Sequence, residues 1–105
     1  MATLLPTLRE RKQYLAFEVI ADKELSWEST RKAVTMAIKN YIGLEGMSHA
    51  GIMFVKNNKN KGIMKIQNNY LTKVRAALLF IKEIDNQKVV VKSIRASGML
   101  NKLHI

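Results

Sequence analysis

The sequence predicts an α+β fold in the order β-α-β-β-α-β, and three observations support it. A stretch near the start alternates its side chains with period two, as a strand does. Two longer stretches repeat apolar residues at helical spacing. Between those two, a pair of short apolar segments flanks NNKNKG, a run of turn-forming residues.

In residues 13–21, Leu15, Phe17 and Val19 fall on one face, and Tyr14, Ala16, Glu18 and Ile20 on the other. Apolar residues on both faces are expected of a central strand, because an edge strand keeps one side solvated. Ahead of it, Arg9, Arg11 and Lys12 surround Glu10 in a basic lead, which divides the chain into a lead (1–12) and a single α+β domain (13–105). Residues 22–25 read as a turn. Ser26 is a good N-cap, and Glu28 sits where the helix dipole favours a carboxylate. Trp27, Thr30, Val34, Ala37, Ile38 and Tyr41 then recur at helical spacing, so the first helix is expected to reach about Tyr41, with Gly43 and Gly46 ending it and opening a loop.

A second strand is expected over residues 49–56 and a third over 63–67, with Met64 and Ile66 on one face and Lys65 on the other. The turn between them has a basic tip of Lys56, Lys59 and Lys61, and Gly62 is expected to close it. Asn68 or Asn69 caps a second helix over about 70–84, whose stripe is Leu71, Val74, Leu78 and Ile81. Asp85 and Asn86 turn the chain into a fourth strand over 88–97, Gly98 breaks it, and MLNKLHI adds a short helical turn. Two βαβ-like halves in this order form the ferredoxin-like arrangement shared with RNA-recognition domains: an antiparallel sheet with two helices on one face. The other sheet face is free for partners, and Tyr14, Ile20 and the apolar residues of the last strand are expected in a docking surface.

Composition narrows the function. With 105 residues and 48% hydrophobic content the chain has a core to bury, and it contains no cysteine, which removes disulfides and thiolate chemistry. No apolar run approaches the roughly 20 residues that span a bilayer, and MATLLPTLRER is too short in apolar residues for a signal peptide, so a cytoplasmic protein without membrane contact is expected. The net charge of +10 is unevenly placed: residues 1–52 carry +1 and residues 53–105 carry +9. Such a concentration points to a polyanionic partner, nucleic acid above all. A small-molecule-sensing module of the same topology has no need of it.

Protein-borne catalysis finds little support. Asp22 and Glu24 lie at a helix entrance, Glu83 and Asp85 at a helix exit, and His49 and His104 have no neighbours at ligand spacing. Ser97 before Gly98 lacks a base, and the segment from Gly43 to Gly46 lacks the pattern of a phosphate loop. The third strand begins with Lys61 and Gly62, as in RNA-recognition domains, but the aromatic residues on which bases stack do not follow. Phosphate contacts need only Lys, Arg, hydroxyls and backbone amides, which are plentiful.

Three segments carry a resemblance to one family. LPTLRERKQYLAFEVI resembles the N-terminal signature of ribonuclease P protein component 2 of archaea, which has a eukaryotic counterpart. VRAALLFI, around Arg75, resembles that family's next characteristic run, and VKSIRASGMLNKL its closing strand and Ser-Gly turn. The resemblance implies a non-catalytic subunit of the endonuclease that removes the 5′ leader from precursor tRNA. It implies that the RNA subunit carries the chemistry and requires the Mg2+, with no cofactor on the protein. It further implies association with ribonuclease P RNA and with protein component 3, in a complex that can be heterotetrameric, and with precursor tRNA only indirectly. Members often continue into a basic C-terminal extension where this chain ends at Ile105. The expected RNA contacts are Arg9, Arg11 and Lys12 of the lead, Lys56, Lys59 and Lys61 of the hairpin, and Arg75, Arg95 and Lys102. A free-standing, ribosomal-type RNA-binding protein is the alternative on composition alone.

Overall fold

The computed structural model describes residues 12–103 and 105. Arg9, Arg11, most of the basic lead and His104 lie outside the described residues. The elements are β1 (Lys12–Ile20), α1 (Trp27–Ala50), β2 (Met53–Asn58), β3 (Lys61–Gln67), α2 (Leu71–Leu78), β4 (Glu83–Ile84), β5 (Gln87–Lys88) and β6 (Val90–Ser97). Single 3-10 turns occur at Asn68–Tyr70 and Leu100–Lys102. The main sheet has the order β2-β3-β1-β6, with every neighbouring pair antiparallel. β1 is central, as the apolar residues on both its faces predict.

The two helices cover one sheet face. Leu15, Phe17 and Val19 of β1, Met64 and Ile66 of β3, and Val91 of β6 are buried against Val34 and Ile38 of α1 and Val74, Ala77 and Leu78 of α2. Phe17, Trp27 and Phe54 form an aromatic cluster inside this core, with Trp27 edge-on to Phe54 at 5.4 Å and Phe17 stacked on Trp27 at 6.3 Å between centroids.

The start of α1 follows its local code. Ser26 is extended and its hydroxyl accepts from the Ser29 N–H at 3.2 Å. Ser26→Ala should therefore cost about 1 kcal/mol of stability, measurable as a lowered urea midpoint at unchanged m-value.

Five expectations are corrected. The first helix does not give way to a loop at the glycines. Gly43 (φ 78°, ψ 176°) kinks α1, which then continues to Ala50 and stops where Gly51 takes the left-handed conformation (φ 60°, ψ 42°). The extension is held because Ile42 and Met47 pack on the core and Ala50 is fully buried. His49 consequently lies in the last helical turn, its Nδ1 2.8 Å from the Glu45 carbonyl, and the second strand starts only at Met53.

The second helix ends at Leu78, preceded by a 3-10 turn with no side-chain cap from Asn68 or Asn69. Beyond it, the N–H groups of Leu79, Phe80 and Ile81 bond three residues back, and β4 and β5 form a small hairpin. Asp85 (φ 52°) and Asn86 (φ 63°) supply its turn, which needs positive φ at both central positions. Ile81, Ile84 and Val89 stay buried through this route, so their spacing is satisfied without a helix. The last strand begins at Val90 because Lys88 belongs to that hairpin.

In the tight turn after β2 the left-handed residue is Lys59 (φ 55°), and Gly62 lies inside β3. The Asn60 carbonyl accepts from Val19 N–H at 2.7 Å and its side-chain oxygen from Leu25 N–H at 3.0 Å, tying the turn to the entrance of α1.

Candidate nucleic-acid interface

Residues directly opposed across antiparallel strands share a face, and the register therefore builds the open side of the sheet row by row. One row runs Lys56, Ile63, Ala16, Arg95 across β2, β3, β1 and β6. The next toward the hairpin turn runs Asn58, Lys61, Glu18, Lys92, and the next toward the other end runs Met53, Lys65, Tyr14, Ser97. Within these three rows five cations thus stand on one face beside one carboxylate, that of Glu18. Rows two residues apart are separated by roughly 7 Å along the strands, and the outer strands by about 14 Å across the sheet.

Two register shifts make these rows. One falls between Phe54 and Lys56, the other between Ala16 and Phe17 opposite β6. The second sets Ser93 opposite Phe17 and Arg95 opposite Ala16, with Ile94 between them as the extra residue. A bulge re-aims the side chains beyond it, and here it puts Arg95 on the open face together with Lys92.

The expected contact residues divide by location. Lys56, Lys61 and Arg95 share the open face, and Lys12, opposite Gln67, is exposed at its far end. Lys59 is exposed at the tip of the turn, and Lys102 is exposed on the 3-10 turn after β6. Arg75 stands in the last turn of α2, in the layer on the opposite side of the sheet. Lys65 and Lys92 complete the face and were not among the sequence-based candidates. For Lys65 the signal was present, since it alternates with the buried Met64 and Ile66.

The Ser97 hydroxyl accepts from Met99 N–H at 3.1 Å. Among the described residues, no three His, Cys, Asp or Glu side chains converge as a metal site would require.

Comparison with known proteins places this arrangement. The sequence profile of the Rpp14/Pop5 family matches residues 13–105. The chain belongs to the Rpp14/Pop5 family. It is 32% identical over 105 residues to ribonuclease P protein component 2 of Methanocaldococcus jannaschii, covering all of this chain and 78% of that one. It is 30% identical to the protein of that name from Thermococcus kodakarensis (93% and 83% covered) and 29% identical to that from Pyrococcus abyssi (98% and 89%). The fold is also that of a chain in the cryo-EM structure of yeast ribonuclease MRP, with a TM-score of 0.74 at 12% identity over 92% of this chain and 81% of that one.

Within this Rpp14/Pop5 chain the second surface of note lies on the helix layer. Met36, Tyr41, Leu44, Leu79 and Phe80 are exposed there, and the rings of Tyr41 and Phe80 lie 5.6 Å apart beside a groove floored by Ala33 and Ile81. Of the residues expected in a docking surface, Ile20 and Val90 are exposed on the open face and Ile94 is exposed at the register shift, whereas Tyr14 is partly covered.

Proposed function

We propose that this chain is a protein subunit of ribonuclease P and that its open sheet face holds the catalytic RNA. The observation that carries the reading is the set of cross-strand rows that brings Lys56, Lys61, Lys65, Lys92 and Arg95 onto one surface of a family member. Cations at these spacings neutralise crowded phosphates and release counterions. In this reading the RNA carries out removal of the 5′ leader from precursor tRNA and holds the Mg2+ that the chemistry needs. The protein lowers the Mg2+ required by supplying fixed positive charge, and it meets precursor tRNA only through the RNA.

The protein partner in this reading is ribonuclease P protein component 3, in an assembly of two copies of each. The exposed apolar residues of the helix layer are its docking surface, which leaves the sheet free for RNA. The cytoplasm is the compartment where both partners are met.

Reconstitution tests the proposal. Leader cleavage is followed across Mg2+ concentrations with the catalytic RNA, precursor tRNA and component 3, with and without this chain. Cleavage should move to lower Mg2+ only when both proteins are present. An unchanged Mg2+ profile despite tight, salt-dependent RNA binding would leave a free-standing RNA-binding protein and overturn the subunit assignment.

A further inference from the structure

The open face contains the apolar centre that a single-stranded base would use, and the chain covers that centre itself. Bases bind sheet platforms by stacking on aromatic side chains, largely regardless of sequence. In this sheet the platform is Tyr14 and Ala16 of β1 beside Ile63 of β3. Ala16 and Ile63 are 2% and 0% exposed although both point away from the helices. They are buried by Leu103, itself 4% exposed, in a cluster separate from the main core, with Tyr14 and Ile105 packed around it.

The cover is held at several points. The Ser97 hydroxyl fixes the Met99 N–H, and within the following turn Lys102 N–H donates to the Met99 carbonyl at 3.2 Å and Leu103 N–H to the Leu100 carbonyl at 3.0 Å. The chain thereby reverses after β6 and lays Leu103 across the two central strands. The cations remain outside it: Lys56 and Arg95 end the row whose middle members the cover buries, and Lys61, Lys65 and Lys92 occupy the flanking rows.

We infer that the C-terminal turn carrying Leu103 and Ile105 is a built-in cover that makes this face a reader of helical RNA. With the platform closed, the surface meets the phosphates and 2′-hydroxyls of an A-form backbone, while unpaired bases find nothing on which to stack. This rests on the RNA-binding reading above and specifies the form of RNA that the same face takes.

The test uses the full chain and fluorescence anisotropy with two labelled probes at one salt concentration: an RNA duplex of about 16 base pairs and an oligouridine of about 12 nucleotides. The unaltered protein should bind the duplex about 10-fold more tightly or better. The double variant Leu103→Ser/Ile105→Ser should gain about 10-fold for oligouridine, with duplex affinity within about 2-fold of the original. Adding Tyr14→Ala to that variant should remove the gain. Circular dichroism checks the fold, and Ile105→Ser alone, which leaves Leu103 in place, should show a smaller gain and decides the matter if the double variant unfolds. Unchanged oligouridine affinity in a folded variant overturns the inference, as does an unaltered protein that binds both probes equally. Failure of the unaltered protein to bind either probe would overturn the RNA-binding reading itself.

Discussion

Replacing Lys56, Lys61, Lys65, Lys92 and Arg95 together by Gln is expected to weaken binding of ribonuclease P RNA by about 100-fold or more near physiological salt. Each lost phosphate contact also removes roughly 0.7–0.9 from the slope of log K against log salt, so the slope should flatten by about 4 units. The fold should survive, since Lys56, Lys92 and Arg95 are exposed and Lys61 and Lys65 are only partly buried, as long side chains are when their stems lie on the surface and their charged ends reach water. A matched variant on the helix layer, Lys73→Gln/Arg75→Gln, removes two cations from the opposite surface and should change affinity by only a few-fold. Filter binding of the two variants over a salt series separates a localised interface from diffuse attraction. Equal losses per charge in both would show that the sheet face has no special part.

Gly62→Ala is expected to destabilise the protein by about 2 kcal/mol, lowering Tm by roughly 10 °C for a domain of this size. A Cβ at this position would stand 2.7 Å from Phe17 Cζ and 2.9 Å from both Phe17 Cε2 and Trp27 Cη2. Both rings are held by each other and by Phe54, so neither can swing away cheaply. The Lys61 and Gly62 pair that resembles the start of an RNA-binding strand therefore has a packing reason for its glycine. If Gly62 instead admitted a phosphate, Gly62→Ala would weaken RNA binding and leave thermal unfolding unchanged. Calorimetry and RNA binding measured well below Tm distinguish the two.

What could be read from the residues was local. The period-two pattern of β1, the Ser26 cap and the turn at Asp85 and Asn86 each follow from side chains a few positions apart. Errors arose where one pattern admits two structures. Leu78, Ile81 and Ile84 repeat every three residues, which a helix satisfies, but so does a short turn followed by a hairpin. Two glycines three positions apart read as a helix end, whereas only Gly43 leaves helical geometry and apolar anchors carry α1 onward. The interface required more than pattern. Bringing Lys56 and Arg95 into one row depends on two register shifts, and Lys92 joins Lys61 only through the pairing of both strands with Glu18. The cover of Leu103 over Ala16 and Ile63 likewise joins positions far apart in sequence, and a short apolar tail gives no periodicity to announce it.

Among the described residues, the two outer strands, β2 and β6, each have one backbone edge without a partner strand, and each has a register shift in its pairing with the sheet. Edges of that kind invite a second molecule to add a strand, and irregular pairing together with lysine or arginine is how soluble proteins discourage it. Lys56 on one edge and Lys92 and Arg95 on the other are therefore placed to discourage edge-to-edge pairing of copies, in addition to the RNA contact proposed for them. Once RNA screens those charges the repulsion weakens, and what then limits growth of edge-to-edge chains is the bulk of the RNA itself. A preparation stripped of RNA in high salt loses both safeguards and should be the form most prone to aggregate.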